Sequence, residues 1–355
     1  MKIGIDIRST LKQRTGIGQY ILSLINHLAK IDLENKYFLY SKKKIIDRKR
    51  KLPKLPGQNF SHRIDYFSFG PDKLLKDVDI YHTSSFDLKP PQRCQLVLTV
   101  QDVINKAYPK GHTQDTIKTI DRQLKEVLPL AKRIVVDSEC TKRDLLKWYP
   151  VDERIVRIVY PGVNPWFSWQ DVKKQDIILF VGTIEPRKNI ENLIRAFDIL
   201  KKQYHIAHKL MIIGMKGWMC EGVFSLVKEL KLTQEVIFKD FIANENLAAW
   251  YSQAQVFVYP SFYEGFGFPI VEAFASGVPV VTSNVSSCQE IAGEAALLVD
   301  PQSVEQLKDA ILRLLEDKSL RESLINKGFV RAKSFSWERA AKEVFSVYKE
   351  ALGAG

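Results

Sequence analysis

Glu264 and Glu272 stand on either side of a glycine turn, Gly265-Phe-Gly267, with seven residues between them. The run Val256-Phe-Val-Tyr259 before the turn is short, apolar and rich in β-formers, which reads as a buried strand. Pro269 sits where a first helical turn tolerates proline, and Val271 to Ala275 continue as helix. Strand, glycine turn and helix in that order aim free backbone N–H groups and the positive helix end at one point, which suits a phosphate. Gly265 and Gly267 let the backbone approach an anion, because neither carries a Cβ. A carboxylate would repel that phosphate, so both glutamates need other partners, and the hydroxyls of a sugar or a ribose are the natural ones. Together these residues fit a sugar nucleotide. An ordinary βα turn with solvated glutamates is the plain alternative.

A second segment, Phe180-Val-Gly-Thr-Ile-Glu-Pro-Arg-Lys-Asn189, also follows a strand and opens a helix. Its basic pair is thereby brought to the carboxyl edge of a sheet, where open α/β sheets bind their ligands. Arg187 can fork onto two phosphate oxygens, and Lys188 acts as a mobile point charge. Positive charge there neutralises a leaving diphosphate when a sugar–phosphate bond breaks, without a metal. A solvated loop pair is the alternative. The first βα turn, Arg14-Thr-Gly-Ile-Gly-Gln-Tyr20, supplies Gly16 and Gly18 but lacks the third glycine of a dinucleotide fingerprint. It reads nearly as well as a packing turn.

These segments resemble the motifs of retaining glycosyltransferases with the GT-B fold, specifically glycosyltransferase family four. The likeness continues through Gly277-Val-Pro-Val280 and Ser283-Asn-Val-Ser-Ser287 to Glu290. The resemblance implies that Glu264 faces the donor sugar and Glu272 binds the ribose hydroxyls. The amides of Gly265, Phe266 and Gly267 would hold the diphosphate, with Lys188 as the family lysine and Arg187 beside it. Gly16 and Gly18 become donor contacts from the other domain. Related members carry His-Asp after the fifth strand, where this chain has Gln101-Asp102. Gln101 can hydrogen-bond a sugar hydroxyl but cannot serve as a general base. Many members carry Gly-Arg where this chain has Gly182-Thr183, whereas the subgroup with Glu-Pro-Arg-Lys-Asn includes mannosyltransferases.

GDP-mannose is therefore the preferred donor, with UDP-glucose and UDP-N-acetylglucosamine as alternatives. The implied reaction is a retaining, metal-independent hexosyl transfer to a hydroxyl of a glycan or lipid-linked acceptor, in surface polysaccharide or lipopolysaccharide synthesis. No cofactor is expected. A non-catalytic sugar-nucleotide-binding protein is a rival, kept open by Gln101. A nicotinamide-dependent oxidoreductase is disfavoured, since neither half shows a glycine fingerprint with a ribose-binding acid at the right spacing.

These groups must be positioned by a repeating βα alternation. From Gln175 onward the expected strands are Ile177-Val181, Leu210-Gly214, Val236-Phe241, Val256-Tyr259, Val278-Thr282 and Ala296-Val299. The first half repeats the habit with more interruption, at Lys2-Ile7, Tyr37-Tyr40, Ile80-His82, Leu96-Val100, Ile134-Asp137 and Ile155-Val159. Long helices are expected at Gly18-Lys30 and Thr113-Leu130. His82 reads as a core histidine at a strand end. Alternation of this kind implies parallel sheets covered on both faces. The expected fold class is α/β, GT-B, with two Rossmann-like domains facing each other across a cleft. Two prolines and a glycine in Pro161–Asp171 mark the boundary. That gives an acceptor domain over 1–168 and a donor domain over 172–335. The resemblance adds that the last helix, about 337–355, packs back on the first domain.

Length and composition agree. A chain of 355 residues fits about two domains. No apolar run approaches the ~20 residues needed to span a bilayer. Met1-Lys-Ile-Gly-Ile-Asp6 enters strand alternation directly, so no signal peptide is expected. The four cysteines are far apart, which suggests neither a zinc cluster nor a disulfide framework. A cytoplasmic location follows, peripheral on the inner face of the membrane. Much of the net charge of +12 sits in Lys42–Lys54, where eight Lys and Arg face one Asp. An anionic membrane surface is one expected partner of that run, a solvated face the bland alternative. Nucleic acid is not expected, because no basic-aromatic RNA signature is present.

Overall fold

The computed structural model describes residues 1–11, 16–43, 51–87 and 90–353. Residues 44–50, the middle of the basic run, lie outside that set. The chain forms two compact units. The first comprises Met1–Lys106, Gln114–Gly162 and Ser336–Gly355, and the second Ala107–Thr113 and Val163–Phe335. The main division falls after Gly162, within the proline-glycine linker.

The first unit is built on seven strands: β1 (Lys2–Asp6), β2 (Lys36–Lys42), β3 (Phe60–Asp65), β4 (Ile80–Thr83), β5 (Gln95–Val100), β6 (Ala131–Val136) and β7 (Val156–Ile158). They pair in parallel in the order β3-β2-β1-β4-β5-β6-β7. The second unit holds β8 (Ile177–Val181), β9 (Lys209–Ile213), β10 (Val236–Lys239), β11 (Val256–Tyr259), β12 (Val280–Ser283) and β13 (Ala296–Val299). These are also parallel, in the order β10-β9-β8-β11-β12-β13. Each sheet thus runs outward from its first strand, then restarts on that strand's other side. This is the Rossmann order, with one extra strand in the first unit.

Every residue of β8 and β11 is buried. Strands covered by helices on both faces must be apolar throughout, which is why their sequences run without alternation. In the first unit the helix Gly16–Ile31 buries Tyr20, Ile21, Leu24, Ile25 and Leu28 at helical spacing. It packs against the final helix, Trp337–Ala351, through an edge-on contact of Tyr20 with Trp337 at 5.6 Å. Ser336 caps that final helix by accepting from the Arg339 amide. Tyr348, on the same helix, lies 2.7 Å from His82 Nδ1, and Thr99 Oγ1 lies 2.7 Å from Nε2. His82 is fully buried, and burial lowers its pKa to about 3. It is a neutral core histidine.

Two elements carry no clear signal in the sequence. β3, Phe-Ser-His-Arg-Ile-Asp, buries only its two ends, because it forms the sheet edge and packs little of its surface. The helix Glu139–Trp148 carries five charged side chains in ten residues but is started firmly by Ser138, which accepts from the Thr141 amide at 3.0 Å.

Candidate active site

β8 and β11 are neighbours in the second sheet, at the point where strand order reverses. The connections leaving their carboxyl ends therefore diverge and leave a crevice, the place where open α/β sheets receive ligands. The connection after β8 ends in a single 3-10 turn, Pro186–Lys188. Asn189 then adopts a left-handed conformation (φ 57°), which asparagine tolerates better than most residues. Its buried amide donates to the carbonyls of Pro260 (3.0 Å) and Pro301 (2.6 Å). Asn189 thereby ties the first connection to the residue that opens the second.

This tie brings together the charged residues of both segments. Lys188 Nζ donates to Glu264 Oε1 at 2.7 Å and to the Tyr259 hydroxyl at 2.5 Å. Arg187 Nη1 donates to Glu264 Oε2 at 2.5 Å and to the Tyr263 carbonyl at 3.0 Å. Its Nε and Nη2 reach Glu185 Oε1 at 3.0 and 2.6 Å. Lys188 and Glu264 are 7% and 6% exposed, so this is a largely buried cluster of two cations and two carboxylates. Burial would raise the Glu264 carboxyl, but the charges of Arg187 and Lys188 bring it down to about 2. Lys188 is lowered, by burial and by Arg187, against the pull of Glu264. The Arg187 guanidinium is held by protein acceptors on both sides, Glu185 on one and Glu264 with the Tyr263 carbonyl on the other.

The glycine turn is held from behind. Ser287 Oγ donates to the Glu264 carbonyl at 2.9 Å and the Phe266 carbonyl at 2.8 Å, and the Glu264 amide donates to Ser286 Oγ at 3.1 Å. Gly267 has φ 105° and precedes the helix Phe268–Ala275, with Pro269 in its first turn. Only glycine adopts that φ without strain, and an added Cβ would sit 3.2 Å from Ile270 Cδ1. Glu272, one turn into the helix, is half-buried and accepts from the Tyr251 hydroxyl at 2.9 Å. Burial pushes its carboxyl up to about 7, against that hydrogen bond. Sequence reasoning assigns no role to the positioning residues Asn189, Tyr259, Tyr251 and Ser287. Their part depends on which strands become neighbours, and chain order does not express that.

Two family models cover the chain. Glycosyltransferase Family 4 matches residues 14–167, and Glycosyl transferases group 1 matches residues 167–331. The O-antigen chain mannosyltransferase B of Escherichia coli is 30% identical over 94% of this chain and 96% of its own length. The chain is a family 4 glycosyltransferase. The O-antigen chain mannosyltransferase RfbU of Salmonella typhimurium (strain LT2) is 31% identical to this glycosyltransferase, over 69% of the chain and 68% of its own. Sucrose-phosphate synthase from Thermosynechococcus elongatus shares the fold across the full length of both chains, with a TM-score of 0.80 at 22% identity. WaaG, a glycosyltransferase involved in lipopolysaccharide biosynthesis, aligns over 99% of this chain and 100% of its own, at a TM-score of 0.74 and 15% identity. The fold is GT-B, and the enzyme is a hexosyltransferase.

The remaining candidate residues of the glycosyltransferase lie on its first unit. Gly18 is buried at the start of its helix, where a Cβ would stand 2.8 Å from the Ser9 carbonyl oxygen. That close approach gives Gly18 a packing reason of its own. Gly16 is exposed, and a Cβ added there would meet nothing within 4 Å. The Gln101 backbone carbonyl accepts from Thr141 Oγ1 at 3.1 Å, while its buried Nε2 has no partner. Among the described residues, no group of three or more His, Cys, Asp or Glu is placed to hold a metal ion, and no helix is long and apolar enough to cross a membrane.

The raised Glu272 carboxyl has a checkable consequence in both stability and binding. A carboxyl raised in the folded state binds its proton more tightly there, so its ionisation destabilises the fold as pH climbs from the ordinary carboxylate range through about 7. Glu272→Gln should therefore melt higher than the parent at pH 8, by roughly 1–2 kcal/mol of stability, and show no gain near pH 4.5. If Glu272 holds the ribose, as the family resemblance implies, the same substitution removes a charged acceptor and should raise the donor KM about tenfold at pH 8. Parallel melts and donor titrations at the two pH values check both halves.

Proposed function

We propose that the enzyme transfers mannose from GDP-mannose, with retention, to a hydroxyl of a growing surface glycan or its lipid-linked form. The observation that carries the transfer chemistry is the buried Lys188–Glu264 pair beside the Gly265-Phe266-Gly267 turn. In this reading the amides of Gly265, Phe266 and Gly267 and the helix that follows hold the diphosphate. Lys188 exchanges Glu264 for the leaving phosphate as charge develops there. Glu264 then turns its carboxylate to the donor sugar, with Arg187 keeping it oriented and ionised. Glu272 takes the ribose hydroxyls. Gly16, Gly18 and Gln101 are the proposed donor contacts of the first unit, Gln101 through its unpaired amide N–H. The choice of mannose follows the printed names of the O-antigen relatives, and the acceptor class follows them too. The basic run Lys42–Lys54 is assigned to the anionic inner face of the membrane.

Thermal melts with a panel of nucleotide sugars test the donor. A ligand at ~100 times its dissociation constant adds about 2.7 kcal/mol, so GDP-mannose should raise the melting temperature well above UDP-glucose or UDP-N-acetylglucosamine. A larger shift with either UDP-sugar would replace the proposed donor.

Gln101 makes the reading refutable as an enzyme. A proton-transferring histidine contributes roughly 10²–10⁴-fold, whereas an orienting hydrogen bond contributes much less. Gln101→His is expected to change the rate of nucleoside diphosphate release by about tenfold at most. A silent parent with a large gain in the variant would instead mark a non-catalytic binder.

A further inference from the structure

We propose that the turn 66–69 of the first unit is an aromatic wedge that inserts into an anionic bilayer surface. This deepens the membrane part of the reading above, and it rests on different residues. Tyr66, Phe67 and Phe69 are 43%, 66% and 52% exposed. Three aromatic side chains in four residues thus face solvent together, with the rings of Phe67 and Phe69 5.6 Å apart. The first unit has a full core of its own, so nothing in its packing requires this display.

The turn is built, not slack. Asp65, 1% exposed, accepts from the amides of Phe69 (3.0 Å) and Gly70 (2.8 Å) and from the Tyr40 hydroxyl (3.0 Å). Ser68 (φ 62°) and Gly70 (φ 86°), on either side of Phe69, both take positive backbone angles. A buried carboxylate and a strained serine maintain a conformation whose visible product is exposed aromatic surface.

Charge selects the occupant. β3 is the sheet edge, and its last residue, Asp65, pairs in register with Lys42 of β2. The Lys43 amide donates to the Asp65 carbonyl at 3.2 Å, so the chain enters its basic run directly beside the turn. On β3 itself His62 Nε2 lies 3.1 Å from the Pro53 carbonyl, and Lys51 and Lys54, close to Pro53 in the chain, are exposed. On the other flank Lys73 Nζ stands 5.0 Å from the Phe69 ring centre. Aromatic rings in the headgroup layer, flanked by lysines, match the chemistry of an anionic lipid surface. A soluble apolar partner would gain nothing from the lysines.

The test is co-sedimentation of the intact enzyme with phosphatidylcholine vesicles, with and without phosphatidylglycerol, at about 0.1 M and about 0.5 M salt. The parent should bind only the phosphatidylglycerol vesicles and keep part of that binding at the higher salt. Phe67→Ser with Phe69→Ser should weaken binding by about tenfold or more and remove the salt-resistant part. Lys43→Glu with Lys73→Glu should weaken binding mainly at low salt. Both variants should retain the parent's thermal shift with GDP-mannose, which separates this result from failure of the donor assignment. Equal binding by the serine variant and the parent would overturn the wedge, as would equal binding to vesicles without anionic lipid. A parent that self-associates through the turn, with the serine variant monomeric and neither binding vesicles, would also overturn it.

Discussion

Lys188→Ala should lower kcat by about 10²–10³-fold while leaving donor affinity within a few-fold of the parent. The asymmetry follows from where Lys188 stands before donor arrives. Its ammonium is already paired with Glu264 at 2.7 Å and with the Tyr259 hydroxyl at 2.5 Å. Bound donor in the ground state therefore gains little from it, since one partner is exchanged for another. The leaving diphosphate gathers charge as the sugar–phosphate bond breaks, and only then does the ammonium become the stronger partner. Burial sharpens the effect, because few waters are available to screen or replace it. Separate measurement of kcat by diphosphate release and of affinity by titration checks this. A variant that raises KM with kcat intact would move Lys188 from transition-state stabilisation to uniform binding.

Glu264→Ala should damage the fold of the second unit severely, costing roughly 3–5 kcal/mol. Without its carboxylate, Lys188 loses its ion pair, and Arg187 is left with Glu185 as its carboxylate partner. Adding Lys188→Met to that variant should recover much of the lost stability and none of the activity, because the unpaired buried ammonium goes with it. The pH dependence has a fixed sign. The Glu264 carboxyl is depressed to about 2, so its contribution is fully present above the ordinary carboxylate range. It is lost as pH falls toward 2, and parent and variant should converge in that direction. Melts of parent, single and double variants from pH 3 to pH 7 carry the comparison. Additive losses in the double variant would mean that the two residues do not stabilise each other.

Most of the second unit is readable because parallel strands buried on both faces write themselves as unbroken apolar runs. Ile177–Val181 and Val256–Tyr259 are such runs, and their bounds match the strands found. β3 is not readable, because an edge strand shares neither that burial nor a clean alternation. The site divides along a similar line. Glycine at the turn and lysine before the Asn189 helix are residue types that a phosphate site requires, so spacing alone brings them forward. The partner choice inside the site is hidden. That Glu264 pairs with Lys188 and Arg187 depends on β8 lying next to β11, a neighbour relation that only the folded sheet creates. The grip of Asn189 on Pro260 and Pro301 depends on the same adjacency.

The most direct test of the proposed transfer is to incubate the purified enzyme with GDP-mannose and a mannose-terminated glycan acceptor, and to read the new linkage by its anomeric NMR signals. An α-mannoside formed together with GDP is the expected product, because GDP-mannose carries its sugar in the α configuration and the proposed reaction retains it. A β-mannoside, or turnover confined to UDP-sugars, would contradict it.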